Sequence, residues 1–214
     1  MTETGPACRL YLITPPQIDA AFTDTLASAL DAGDVACLQL RLKDATEEVV
    51  RAAIDQLRPI AQSRGVALLL NDDPHLAAET GCDGVHIGQH DCPYDEARKA
   101  IGADGILGVT CHASRHLAIE AAGRGADYVA FGAFHATATK NPKSRAEPEI
   151  LQWWHQLTTV PAVAIGGITV KNCPALVRAG ADFIAVVGGV WNYPRGAAAA
   201  VEDFNAAIAS TRPS

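Results

Sequence analysis

No stretch of this chain is basic enough to serve as a footprint for nucleic acid. Its 17 Lys and Arg residues are scattered among 24 Asp and Glu, for a formal net charge of −7. Sequence-independent binding to a polyanion needs a concentrated positive face, so nucleic acid is not expected as a partner. A few local Arg and Lys residues can still dominate a cleft that takes a small anion. No two of the six cysteines (Cys8, Cys37, Cys82, Cys92, Cys111 and Cys173) are spaced C-x-x-C, which argues against a zinc ribbon or a dithiol redox motif. They read as scattered small residues in a reducing compartment. No apolar run approaches the roughly 18 residues of a membrane span. The opening MTETGPACRLYLITPP has no charged start leading into a long apolar stretch, so no signal peptide is expected. Disorder is excluded by composition, with 49% hydrophobic against 19% charged residues. A soluble cytoplasmic enzyme, with no membrane partner, is the expectation.

What is present is a regular alternation. Apolar, β-branched runs occur at 9–14, 35–41, 66–71, 83–88, 106–110, 127–132, 162–166 and 182–188. Runs of this length read as buried strands of a parallel sheet. Between them lie Ala-rich stretches with helical periodicity, at 18–32, 47–63, 74–80, 94–101, 115–124, 147–157, 171–179 and 197–209. In 47–63, Val50, Ile54, Leu57 and Ala61 recur every three or four residues and mark one helix face. Gly33, Gly65, Gly81, Gly125 and Gly180 each fall between a helix and the next strand, where the left-handed conformation stops a helix. Eight strand–helix units within 214 residues and no long linker predict a single-domain α/β chain folded as a closed (β/α)8 TIM barrel. An open doubly wound sheet competes, but it would be expected to carry a Gly-rich phosphate loop after the first strand, where this chain has Thr14-Pro15-Pro16. The polar, basic segment 134–145 is too long for a routine turn and reads as a lid.

In such a barrel every strand opens its C-terminal end on one rim, where chemistry collects. The strand ends here supply Gln39, Arg41 and Lys43; Asn71 and Asp72; Gln89 and Asp91; Thr110 with His112; Thr137, Thr139 and Lys140; and the glycine pairs Gly166-Gly167 and Gly188-Gly189. This inventory suits phosphate chemistry. Arg41, Lys43 and Lys140 can neutralise anionic oxygens, Arg as a bidentate fork and Lys as a point charge. Asp72 and Asp91, at the ends of adjacent strands, suit a hard cation with oxygen ligands such as Mg²⁺. The glycine pairs let backbone N–H groups approach an anion, at the loops after strands seven and eight where barrels commonly bind phosphate. Each residue also has a plainer role open to it. Asp72 and Asp91 could cap the helices that follow them. Arg41 and Lys43 could form rim ion pairs, the glycines could be turns, and His86 could be a hydrogen-bonded core histidine. Convergence of all these residues on one rim favours a functional site.

The ordered segments resemble the thiamine phosphate synthase family. Gln39-Leu40-Arg41-Leu42-Lys43 resembles its Q-x-R-x-K segment. Asn71-Asp72 and Gly84-Val85-His86-Ile87-Gly88-Gln89-x-Asp91 resemble its N-D and G-V-H-x-G-Q-x-D segments. Asp127-Tyr128-Val129-x-x-Gly132 with Thr137-Ala138-Thr139-Lys140 resembles D-Y-V-x-x-G with a T-x-T-K loop, and Ala164–Ile168 resembles A-I-G-G-I. The likeness runs from about Leu10 to about Val190. It implies a TIM-barrel transferase that joins hydroxymethylpyrimidine diphosphate to hydroxyethylthiazole phosphate, or its carboxylated form, giving thiamine phosphate and pyrophosphate. Carried over by position, Gln39, Arg41, Lys43, Asn71, Thr110 and Lys140 would contact the pyrimidine diphosphate. Thr137, Thr139, Gly167, Val187 and Gly188 would hold the thiazole phosphate, and Asp72 and Asp91 would ligate Mg²⁺. Arg41, Lys43, Thr110 and Lys140 would serve catalysis. The partners implied are small phosphorylated substrates, and a homo-oligomer is left open. The chain departs from the family where Thr110 replaces a usual Ser, Ala136 a usual Pro and Gly188 a usual Ser, and in the loop 141–147, whose sequence is its own and onto which no role is carried. Two readings on the same barrel compete, a thiazole tautomerase and a non-catalytic sensor of the thiazole phosphate. A third, a phosphate-binding epimerase or isomerase, would need a general base, for which only His86 and His112 are candidates.

Overall fold

The computed structural model describes residues 8–42, 44–136 and 145–211. Eight strands alternate with helices: β1 (Arg9–Ile13), α1 (Phe22–Asp31), β2 (Val35–Leu40), α2 (Glu47–Gln62), β3 (Ala67–Asn71), α3 (Pro74–Glu79), β4 (Gly84–Ile87) and α4 (Tyr94–Ile101). The second half follows with β5 (Ile106–His112), α5 (Arg115–Gly123), β6 (Tyr128–Gly132), α6 (Glu149–Leu157), β7 (Ala162–Ile165), α7 (Cys173–Arg178), β8 (Phe183–Val186), α8 (Gly188–Trp191) and α9 (Ala197–Ala209). All neighbours pair in parallel, and β1 pairs with β8 as well as β2, with Leu10 opposite Ile184 and Leu12 opposite Val186. The sheet is therefore a closed barrel, as the strand–helix alternation predicts.

The period of two along each strand divides two apolar regions. Leu10, Leu12, Leu38, Leu40, Leu68, Leu70, Val129 and Phe131 point outward and are buried under the helix ring. In α2 the predicted face meets this outer core, with Ile54, Leu57 and Ala61 fully buried and Val50 packed against its margin. The alternate residues Tyr11, Ile13, Cys37, Leu69, Tyr128, Ala130, Val163 and Ala185 point inward and fill the barrel. Tyr128 takes so much of this space that a Cβ on Gly108, the neighbouring inward position on β5, would overlap its ring. Glycine at 108 is therefore a packing requirement.

The rim opposite the strand C-termini is closed by a repeated device. Asp83, Asp127 and Asp182 each precede an even-numbered strand. Each accepts a hydrogen bond from a backbone N–H of the preceding strand: Leu68 at 2.7 Å, Leu107 at 2.8 Å and Ala162 at 2.8 Å. Their own backbone N–H groups donate to Leu68, Leu107 and Ala162 carbonyls at 2.9 Å. These carboxylates satisfy strand-end donors that the ladder leaves over.

Among the boundaries that move, three have a clear local reason. Helix α1 begins at Phe22 instead of residue 18, because Asp19 accepts the Ala21 N–H and holds a turn there. Strand β5 runs on to His112 through a register shift between Thr110 and His112. Strand β8 stops at Val186, and Gly188-Gly189 open the short helix α8 instead of ending the strand. Trp191 ties α8 down, donating its indole N–H to the Ile13 carbonyl at 2.6 Å and meeting Phe22 edge-on at 4.9 Å between ring centroids.

Gly108→Ala should lower stability by about 1–3 kcal/mol through overpacking against Tyr128, visible as a drop in the thermal midpoint. An unchanged midpoint would refute the tight Gly108–Tyr128 contact.

Candidate active site

A cavity of about 570 Å³ opens at the strand C-termini. Nine of the residues predicted from the sequence line it: Gln39, Arg41, Asn71, Asp72, Asp91, Thr110, Gly167, Val187 and Gly188. They come from six strand ends, so closure of the barrel is what assembles them. Lys43, Thr137, Thr139 and Lys140 lie outside the described residues. The sequence reading gave no site role to Ile13, Asn192 or Thr169, which also line the cavity, and His86, weighed mainly as a core histidine, lies on its wall.

The turn after β3 separates two acidic roles. Asp73, not Asp72, caps α3, its carboxylate accepting the Leu76 N–H at 2.9 Å with Pro74 in the first turn. Asp72 takes a left-handed backbone, φ 70°, and its N–H donates to the His86 carbonyl at 2.8 Å. That conformation is uncommon outside glycine, though Asp and Asn tolerate it best. It places Asp72 on the cavity wall instead of over the helix. Asp91 does not cap α4 either. Its Oδ2 accepts the Gly88 N–H at 2.7 Å, and α4 has Pro93 at its N-cap position, with no side-chain cap. The capping roles considered for these two carboxylates are thus corrected: both belong to the cavity.

Arg41 is set by its backbone. The buried Thr14 hydroxyl accepts the Arg41 N–H at 2.9 Å and donates to the Arg41 carbonyl at 3.2 Å. The side chain at 41 therefore leaves the strand end at a fixed place on the rim. Across the mouth, Gly166 and Gly167 have φ of 104° and 62°. A Cβ on Gly166 would overlap Ala133, and one on Gly167 would overlap the Ala136 carbonyl. Asn172 holds this loop by donating to the Gly167 carbonyl at 3.1 Å and accepting the Thr169 N–H at 2.8 Å. Beside it, Gly188 and Gly189 open α8 and line the same mouth, and the first N–H groups of a helix lack intrahelical acceptors. The glycines are more than turns, since their missing side chains let two backbone segments meet at the cavity.

Below the mouth the barrel interior is polar along one track. Gln39 and His86 are buried there, at 3% and 7% exposure. His86 reaches Thr110 Oγ1 with Nε2 at 2.7 Å and the Tyr128 hydroxyl with Nδ1 at 2.8 Å. The plain reading of His86 as a hydrogen-bonded interior histidine holds, and its partner Thr110 lies on the cavity wall. Burial pushes the Tyr11 and Tyr128 phenols and the Cys37 thiol well above their ordinary pKa values. These groups stay protonated near neutrality, so none of them is a base or thiolate nucleophile.

Arg41, the two aspartates and the glycine pairs around one mouth define a barrel enzyme site suited to phosphorylated small molecules. The comparisons identify the family. Residues 10–190 match the family model described as thiamine monophosphate synthase. A thiamine-phosphate synthase of Rhodospirillum centenum is 66% identical over 199 residues, covering 92% of this chain and 96% of the relative. One from Hyphomonas neptunium is 50% identical over 223 residues, covering 98% and 99%. Among solved structures, thiamine phosphate pyrophosphorylase from Pyrococcus furiosus superposes with a TM-score of 0.84 at 26% identity, covering 96% of this chain and 97% of that one. The chain belongs to the thiamine monophosphate synthase family and is an enzyme.

The neighbouring aspartates should separate in experiment. Asp73→Ala removes a cap and should cost about 1 kcal/mol of stability, whereas Asp72→Gly should leave the melting midpoint at or above the parent value, because glycine accepts φ 70° without strain. The opposite ranking in thermal melts would show that Asp72 has the structural role.

Proposed function

We propose that this enzyme joins hydroxymethylpyrimidine diphosphate to hydroxyethylthiazole phosphate, or its carboxylated form, releasing pyrophosphate and forming thiamine phosphate. The observation that carries the reading is the convergence of the nine predicted residues on one cavity, in a chain whose close relatives are thiamine-phosphate synthases. Gln39, Arg41, Asn71 and Thr110, with Lys43 and Lys140, take the pyrimidine diphosphate. Gly167, Val187 and Gly188, with Thr137 and Thr139, take the thiazole phosphate, chiefly through backbone N–H groups. Glycine at 188 keeps a backbone contact where the family has a serine hydroxyl.

The chemistry needs no protein nucleophile. Departure of pyrophosphate leaves a pyrimidine methylene cation stabilised by the electron-rich aminopyrimidine ring, and the thiazole nitrogen captures it. Arg41 and the two lysines meet the charge that grows on the leaving oxygens, where fixed donors have most effect. The two anion sites on opposite sides of one mouth bring the reacting atoms together, converting an encounter into a positioned step. The segment around 137–145 would keep out water, which otherwise traps the cation.

The residues present fit Mg²⁺. Asp72 and Asp91 would hold it: both residues line the cavity and neither caps a helix. Among the described residues no cluster of three His, Cys, Asp or Glu could hold a metal. Two carboxylates suit a cation that keeps several waters and takes the remaining ligands from substrate phosphates, as Mg²⁺ does. When bound, it would supply neutralisation of the departing diphosphate.

We place the enzyme in the cytoplasm. All six cysteines are free, and no helix among the described residues is long and apolar enough to cross a membrane. The tautomerase and sensor readings would not require the diphosphate set, and the presence of Arg41, Asp72 and Asp91 at the cavity favours coupling.

Purified protein given both substrates and Mg²⁺ should form thiamine phosphate and pyrophosphate in equal amounts, and EDTA should stop both. Saturable binding of thiazole phosphate without product would instead favour a tautomerase or sensor. Asp91→Ala should abolish metal-dependent coupling with the circular dichroism spectrum kept, and Arg41→Ala should lower kcat by about 10²–10³-fold. Near-normal turnover in either variant would remove that residue from the site.

A further inference from the structure

Six polar side chains run through the barrel interior as one unbroken line. Asn71 Oδ1 accepts from Gln39 Nε2 at 2.6 Å, and Gln39 Oε1 accepts from the Tyr11 hydroxyl at 2.9 Å. The Tyr11 and Tyr128 hydroxyls meet at 2.9 Å, Tyr128 meets His86 Nδ1 at 2.8 Å, and His86 Nε2 meets Thr110 Oγ1 at 2.7 Å. Both ends, Asn71 and Thr110, line the cavity, while the four residues between them are at most 7% exposed. Buried polar groups of this kind are normally carried only when they are fully paired.

The Gln39 amide, with Oε1 toward Tyr11 and Nε2 toward Asn71, gives the line one of its two directions. Each phenol stays protonated and has one proton to give. Tyr11 gives its proton to Gln39, so its oxygen accepts from Tyr128. Tyr128 has then spent its proton, so its oxygen accepts from His86 Nδ1–H. With the ring uncharged, an Nδ1–H leaves Nε2 as the acceptor, and the 2.7 Å contact then takes the Thr110 hydroxyl proton. At the other end Gln39 gives to Asn71 Oδ1, leaving the Asn71 N–H groups for the cavity. No member can turn round without its neighbours doing so.

We propose that Tyr11 and Tyr128 are positioning residues of this active site: through one directed hydrogen-bond chain they hold His86 in its Nδ1–H form, turn the Thr110 proton inward and turn the Asn71 amide N–H groups outward. Asn71 then presents donors to the ligand and Thr110 presents lone pairs. Thr110 reaches an amino group directly and an anionic oxygen only through a water. The chain thereby links the two ends of one subsite, and it refines the pyrimidine diphosphate reading on which it rests. The rings are braced for this. Tyr11 and Tyr128 pack edge-on at 5.9 Å between centroids, and His86 stacks on Tyr128 at 5.6 Å and 21°.

The tautomer is read first on ligand-free, ¹⁵N-labelled protein by long-range ¹H–¹⁵N correlation, with the His86 signals assigned by their loss in His86→Gln. Nδ1–H is expected, and a ring protonated at Nε2 or an even mixture overturns the proposal. Tyr128→Phe keeps the ring and removes the acceptor for Nδ1–H. It should shift His86 away from the pure Nδ1–H form and lower kcat by about 10- to 100-fold, with KM for the thiazole phosphate unchanged. A His86 still purely Nδ1–H in that variant overturns the proposal. Tyr11→Phe added to Tyr128→Phe should lower kcat no further, because one break already ends the chain; multiplied losses would mean two independent packing effects and overturn it. If either variant fails to fold, the wild-type tautomer still decides. A wild type that shows the Nδ1–H form but does not couple the two substrates overturns the function proposed above and leaves the directed chain standing.

Discussion

Closure of the sheet is the constraint on which the rest depends. Once β1 pairs with both β2 and β8 there is no edge, and every second residue of every strand must share one narrow interior. Below the mouth that space is filled by Tyr11, Tyr128, Leu69, Cys37 and Val163. At the mouth the inward positions carry small or polar residues, among them Asn71, Thr110 and Gly132, and the filling stops. The cavity is what the packed barrel leaves at one end. Its walls are rigid because the same strands carry the two apolar cores below and around it.

Rigid walls suit the proposed reaction, which depends on placing two anions and sheltering a cation. The local devices all preset geometry before a ligand arrives. Thr14 clamps the Arg41 backbone, Gly88 anchors Asp91, Asn172 shapes the Gly166-Gly167 loop and Trp191 pins α8 to β1. Each is a hydrogen bond between segments far from the chemistry in sequence or a turn just beside it. Together they keep donors and carboxylates aimed at one volume, and such preorganisation spares the reaction the cost of ordering them.

Much of this was legible in the residues. Eight apolar runs with helical stretches between them specified the barrel, because a closed parallel sheet is the arrangement that buries so many short strands. The strand ends then named the cavity residues, since every strand of a barrel points the same way. Other signals were present and not used. The glycine-then-aspartate spacing before β4, β6 and β8, at Gly81–Asp83, Gly125–Asp127 and Gly180–Asp182, marks the carboxylates that close the far rim. The helix α8 was hidden because Gly188-Gly189 are poor helix formers; its formation rests on the Trp191 anchor.

Local spacing and chemistry by themselves determined the order of elements, the inward and outward faces and the set of residues delivered to one rim, because those follow from periodicity and strand polarity. Only the folded chain decided between neighbours of equal chemistry. Asp73 became the cap and Asp72 the cavity carboxylate through a left-handed φ, and two carboxylates in succession carry no mark of which does which. Only the folded chain, too, brought Tyr11 of β1 against Tyr128 of β6 and His86 of β4. Residues 117 apart in sequence meet because the barrel interior is a few ångströms across, and no local pattern records a distance set by closure of the whole sheet.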